Sequence, residues 1–274
     1  MIFVSFARDT EPLEQFLDQP MREYFDTVFG RPIEILGYLR QRIPANWKLY
    51  YENLVDDYHG GLLHPFQVTF GIARMTQGGG SITDKMGRHR WVHVEHGTDS
   101  DEEAAAGYAG TTVYDDTFKL RDPSIADFRD EDGDQRGTNL MCVFPNALFQ
   151  RLSSSLTTRQ IRTHSAGMYE LFWTVFGYAD DDEELRQMRM KQINLVGPSG
   201  LISMEDGEAG RLLQLGIKGD HADAHSVIEM GGTGAIPETC DHFMTEISVR
   251  AFWRYWCDLM EIGPQTGISK VAAE

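Results

Sequence analysis

Cysteine is scarce in this 274-residue chain, with Cys142, Cys240 and Cys257 far apart. They form no CxxC pair and no even set, which excludes a disulfide scaffold and a cysteine-rich zinc or iron–sulfur site within the sequence. Basic charge is scarce too: 25 Lys and Arg stand against 42 Asp and Glu, a formal net charge of −17. Without a basic block the chain lacks the electrostatic footprint for nucleic acid or an anionic membrane surface. No apolar run approaches the roughly 18–20 residues of a membrane span. The opening Met1-Ile2-Phe3-Val4-Ser5-Phe6 has neither the basic start nor the cleavage site of a signal peptide, so a reducing cytoplasm is the expected compartment. The whole chain is 41% hydrophobic and 24% charged, which suits one large domain with a real core.

Hydrophobic spacing gives a short strand at 2–6 and a helix at 12–28, where Leu13, Phe16, Leu17, Met21, Tyr24 and Phe25 recur at helical intervals. Strands are expected at 33–43, 66–76, 89–96, 138–143, 147–152, 156–163 and 169–176. Segment 47–54 starts strand-like and turns helical before His59, and the acidic, glycine-rich stretch 97–137 reads as long surface loops. An acid-led helix at 180–196 is broken by Gly197-Pro198-Ser199-Gly200, and further helices follow around 205–215 and 242–261. Runs of strands with helices gathered after them predict an α+β fold, an antiparallel sheet with helices on one face.

The densest cluster of reactive side chains is Glu52-Asn53-Leu54-Val55-Asp56-Asp57-Tyr58-His59-Gly60-Gly61-Leu62-Leu63-His64-Pro65. On a regular helix five residues turn through roughly 500°, which leaves the two imidazoles roughly 140° apart. Gly60 and Gly61 between them permit a distorted turn through which the pair could converge on one ion. Neutral imidazoles suit iron, zinc, copper or nickel, and one further carboxylate would complete a facial triad for non-haem Fe(II). Two hydrogen-bonded core histidines satisfy the same pattern. The distant candidate for the carboxylate is Asp206, which follows the apolar stretch after Gly197-Pro198 and opens a helix. An N-cap or first-turn acid is the alternative reading there.

Taken jointly, these segments resemble the mononuclear-iron domain of the α subunits of Rieske non-haem iron ring-hydroxylating oxygenases. The likeness rests on Asn46-Trp47-Lys48, Glu52-Asn53, Asp56, Tyr58-His59 and His64, then on Gly197-Pro198 to Asp206. The ending Thr245-Glu246…Arg250…Phe252-Trp253 extends it over nearly the whole chain. Tyr58-His59-Gly60-Gly61-Leu62-Leu63-His64 followed by Thr69-Phe70 is similar to the oxygenases of aromatic carboxylates, the salicylate, anthranilate and terephthalate group. The resemblance implies a helix-grip fold, an antiparallel sheet wrapped on helices. It implies that His59, His64 and Asp206 hold a mononuclear Fe(II), with O2 and an aromatic ring to be hydroxylated beside it. Asp56 would link this iron to the Rieske 2Fe–2S cluster of a neighbouring subunit, with Asp57 the competing residue for that role. Asn53 would lie near the open face of the iron, and Leu54, Leu201 and Ile202 would form pocket walls.

A complete subunit of this family carries an N-terminal Rieske domain with Cys-x-His and Cys-x-x-His ligands, and no such pair occurs here. Residues 1–274 are therefore expected to be a catalytic domain entered part-way, fed with electrons by a separate or missing Rieske domain or by a ferredoxin and reductase. A homotrimer and a β subunit are further partners the resemblance implies. A non-catalytic helix-grip protein that binds apolar ligands, and a Zn-dependent hydrolase on the same triad, are the competing functions.

A carboxylated substrate needs a cation, and a planar guanidinium grips a carboxylate through two parallel hydrogen bonds. Arg159 and Arg162 lie three apart in the strand-like run from Leu156, so alternation turns only one inward. Arg159 is the choice. Other candidates fail. Asp130-Glu131-Asp132-Gly133-Asp134 begins like a calcium loop, but Gln135 and Met141 stand at its sixth and twelfth positions, which leaves a solvated acidic loop. His93 and His96 point to opposite faces of a strand, and His221 and His225 sit in loop-like surroundings. Gly78-Gly79-Gly80 reads as a turn, and Cys142 and Cys257 read as small core residues.

Overall fold

One antiparallel sheet of eight strands organises the computed structural model, which describes residues 2–219, 226–231 and 239–262. In chain order the strands are β1 (Ile33–Ile43), β2 (Gly79–Thr83), β3 (Arg90–Glu95), β4 (Arg136–Val143), β5 (Ala147–Leu152), β6 (Ser155–Ser165), β7 (Met168–Tyr178) and β8 (Thr239–Cys240). In space they run β1-β7-β6-β5-β4-β3-β2-β8. From β4 to β7 each strand pairs with its successor, whereas β1 comes from far upstream to pair with β7, Ile43 opposite Tyr169. Alternation sorts the side chains, with Cys142, Leu148, Leu171 and Trp173 on one face and Trp91, Met141, Phe149 and Phe176 on the other.

Helices cover both faces. On the first, α3 (Trp47–Val55), α8 (Leu201–Gly219) and α9 (Ile247–Leu259) bury Tyr51, Leu54, Ile202, Val249 and Phe252. On the second, α2 (Gln19–Phe29) buries Met21, Tyr24 and Val28, which corrects the expected one-sided cover. Residues 2–6 form no strand and are exposed, and the helix expected at 12–28 divides into α1 (Leu13–Phe16) and α2. Trp47 opens a helix at once because Asn46 caps it, accepting the Lys48 N–H at 3.0 Å.

The strand expected at 66–76 is instead α5 (Pro65–Thr69) followed by turns. Pro65, preset for the first helical position, outweighs the alternation of Phe66, Val68 and Phe70. Gly79 and Gly80 belong to β2 and not to a turn. A Cβ at Gly79 would lie 2.4 Å from the His93 carbonyl oxygen and 2.8 Å from the Phe243 ring, so this strand position admits only glycine. Within 97–137 a short helix, α6 (Asp101–Gly107), starts on a capping box of Ser100 and Glu103.

The acidic loop is not simply solvated. Fully buried Arg189, on α7 (Glu183–Val196), holds both Glu131 and Asp181 at 2.7 Å, and Arg151 holds Asp132 at 2.6 Å. Cys142 is buried as expected, but Cys257 is only partly so. His221 and His225 lie outside the described residues. Among the described residues no helix is long and apolar enough to cross a membrane.

Candidate metal centre

After α3 a single residue, Asp56, leads into α4 (Asp57–Leu63). Asp56 caps α4, its carboxylate accepting the Tyr58 N–H at 3.0 Å. The His59 Nδ1–H donates to the Asp56 carbonyl, and the second Asp56 carboxylate oxygen lies 3.7 Å from the same nitrogen. Asp57 turns away, into an ion pair with buried Arg90. Of the two competing acids, Asp56 is the one beside the histidine.

His64 leaves α4 with φ −108° and ψ 78°. A proline clashes with a preceding helical residue and drives it into extended backbone, so Pro65 supplies the bend that the five-residue spacing requires. The glycines do not, since Gly60 and Gly61 both lie inside α4 and neither has positive φ. Gly61 answers crowding, because a Cβ there would sit 2.7 Å from Met75 Cγ. Gly60 borders a cavity, and a Cβ on it would meet nothing within 4 Å.

The bend aims both rings at one atom. His59 Nε2 lies 3.5 Å and His64 Nε2 3.3 Å from Asp206 Oδ1, and the ligand atoms of the three residues all fall within 4.8 Å of one another. Asp206 stands in the second turn of α8 and not at its start as expected. Asn53, near the end of α3, donates its amide to Asp206 Oδ1 and to His59 Nε2, each at 3.1 Å. The α9 helix ties in through Trp253, whose indole N–H donates to Glu52 at 3.0 Å.

Burial alone would raise Asp206 and lower His64. The contacts around the two rings outweigh it: His59 and His64 hold Asp206 below the usual carboxylate range, and hydrogen bonds from His64 to Asp206 and Glu205 push His64 up to about 9. Asp56 is pushed up by burial. Among the described residues Asp206 has no arginine or lysine partner. A buried carboxylate facing only two imidazoles and an amide is a donor set suited to a divalent ion, with two nitrogens and one oxygen on one side.

Beside the triad lies a cavity of about 90 Å³, walled by Leu54, Val92, Leu140, Ile202 and Phe243 and edged by Gln150 and Arg159. Arg159 is 4% exposed, donates to the Tyr50 hydroxyl at 2.8 Å and to Gln150, and lies 3.9 Å over the Trp173 ring. It has no carboxylate partner among the described residues, while Arg162 faces solvent. Leu201 is not a pocket wall. It is 46% exposed, because it sits about 100° round the helix from Ile202.

Sequence reasoning missed Glu205, whose carboxylate lies 2.7 Å from His64 Nδ1. Its only signal was adjacency to Asp206. Gln150 was missed as well, although it shares the inward parity of β5 with Leu148 and Leu152.

Residues 25–262 match the family described as ring hydroxylating alpha subunit (catalytic domain). The chain is 39% identical over 258 residues to terephthalate 1,2-dioxygenase, terminal oxygenase component subunit alpha 2, of Comamonas sp., across 93% of this chain and 60% of that one. It is 41% identical over 261 residues to the anthranilate 1,2-dioxygenase large subunit of Burkholderia cepacia, across 95% and 61%. The chain thus spans about 60% of the length of these curated relatives. The crystal structure of naphthalene 1,2-dioxygenase from Rhodococcus sp. bound to indole superposes with a TM-score of 0.69 at 21% identity, over 95% of this chain and 64% of that one. That likeness shows the shared fold. The chain belongs to the ring hydroxylating alpha subunit (catalytic domain) family.

Proposed function

We propose that this chain is the catalytic domain of a terminal oxygenase that hydroxylates an aromatic carboxylate, with non-haem Fe(II) held by His59, His64 and Asp206. The observation that carries the reading is the convergence of both Nε2 atoms on Asp206 Oδ1, beside a cavity edged by a buried arginine without a carboxylate partner among the described residues. Bound iron would supply O2 activation, since three ligands on one side leave its other positions open. The chain's own residues do the rest. Arg159, fixed by Tyr50, Gln150 and Trp173, offers its guanidinium to the substrate carboxylate. Leu54 and Ile202 wall the ring. Asn53 holds His59 and Asp206 in register through its amide.

Asp56, partly exposed and in contact with His59 Nδ1, is the residue through which a Rieske 2Fe–2S centre on another domain or polypeptide would communicate with the site. A ferredoxin and reductase would feed that centre. The relatives are named as a subunit alpha and a large subunit, which supports an assembly of several chains; a cytoplasmic homotrimer with a β subunit is the form we propose for it.

Anaerobic loading should give close to one Fe(II) per chain. With a Rieske partner, its reductase and isotope-labelled O2, label should enter the ring of a benzoate-type substrate. Arg159→Leu should raise KM for a carboxylated ring about 100-fold, the scale of a lost buried charge pair, with far less effect on an uncharged ring. Turnover without O2 and reductant would overturn this in favour of a hydrolase. Absence of iron, with apolar-ligand binding unchanged in His59→Ala and His64→Ala, would favour a non-catalytic binding protein.

A further inference from the structure

We infer that Glu205 is a positioning residue for the metal centre: its carboxylate fixes His64 as the Nδ1–H tautomer with Nε2 free to bind, and makes that ligand a stronger donor than His59. The inference rests on the metal reading above. His64 Nδ1 donates to Glu205 Oε2 at 2.7 Å, within the range of a charge-assisted hydrogen bond. The other nitrogen of the same ring faces Asp206 Oδ1 at 3.3 Å. His59 is held differently. Its Nδ1 meets a neutral acceptor, the Asp56 carbonyl, while the Asp56 carboxylate stands back at 3.7 Å.

Helix geometry produces this inequality. Glu205 and Asp206 are consecutive in α8, so their side chains leave the axis about 100° apart. The shorter acid meets the Nε2 edges of both rings. The longer one reaches round the His64 ring to its far nitrogen. An imidazole whose N–H is taken by a carboxylate is the stronger donor at its other nitrogen. Charge adds a second effect, because a divalent ion, Asp206 and Glu205 sum to zero, which lowers the cost of burying the ion.

Isothermal titration of the whole chain with Co(II) tests this without turnover. Glu205→Ala should weaken Co(II) binding about 10- to 100-fold. Glu205→Gln, which keeps an oxygen for the Nδ1–H but drops the charge, should fall between, and it carries the test if the alanine variant does not fold. Glu208→Ala, on the same helix and paired among the described residues only with Arg211, should bind as the unsubstituted chain does. A lowered metal-free melting temperature with unchanged Co(II) affinity would mark mere packing and overturn the inference. If the unsubstituted chain itself takes up no Co(II), the metal reading falls and this inference with it.

Discussion

Arg189 and Asp206 are both buried charges, and the molecule surrounds them differently. Arg189 meets Asp181 and Glu131 at 2.7 Å, with the Ser154 carbonyl as a further acceptor. Its neighbour Arg151 is matched by Asp132. Each cation there faces a carboxylate in fixed geometry, and the knot ties the 130–134 loop to β5 and α7. Among the described residues Asp206 meets only two imidazoles and an amide. Those partners stay neutral when an ion supplies the positive charge. Burial of a charge therefore does not by itself mark a site; burial without a permanent opposite charge does.

Substitutions that exchange the behaviour of the two clusters test the contrast. The largest effect is expected at Asp206→Ala, which should abolish detectable Co(II) binding in a calorimetric titration. Arg189→Ala should spare that binding and act on stability alone. It leaves Glu131 and Asp181 buried without their cation, so urea denaturation should show a loss of about 3–5 kcal/mol, with Co(II) affinity retained.

A smaller effect separates both clusters from a third kind of buried group, one kept neutral. His89 accepts the Phe144 N–H on Nδ1 at 3.1 Å and donates from Nε2 to the Phe16 carbonyl at 2.9 Å. Burial and adjacent Arg88 hold it down to about 3. Since the folded value lies below the ~6.5 of an unfolded histidine, the stability tied to neutral His89 is complete above that pH. It is lost as pH falls from there toward 3, by up to about 1.4 kcal/mol per pH unit. Urea titrations at a series of pH values should show this acid limb flattened in His89→Gln.

Local chemistry explains what could be read in advance. The two histidines and Arg159 are candidates by residue type and spacing, Asp206 only through the family resemblance, and the long strands β4 to β7 show in their alternation. Gly79 misled because glycine argues against a strand, and only the approach of His93 and Phe243 reveals why it is needed. Phe66 to Phe70 misled in the opposite sense, alternating like a strand behind a proline that starts a helix. Glu131 looked like a solvated acid and Glu205 carried no reading at all, because their partners, Arg189 and His64, lie far off in the chain. Pro65, next to His64, is the signal in the sequence for the turn that brings the second imidazole round.

The sequence distance between the histidine turn and α8 has a consequence for how the protein assembles. His64 and Glu205 are 141 residues apart, and the meander from β4 to β7 lies between them. Those hairpins close over short loops, whereas α4 meets α8 only after the chain on both sides has docked. The centre is therefore expected among the last contacts to form in folding. An ion bound across it would act as a removable cross-link between distant segments. At a hundred times its Kd, such an ion adds about 2.7 kcal/mol to the stability of the whole fold.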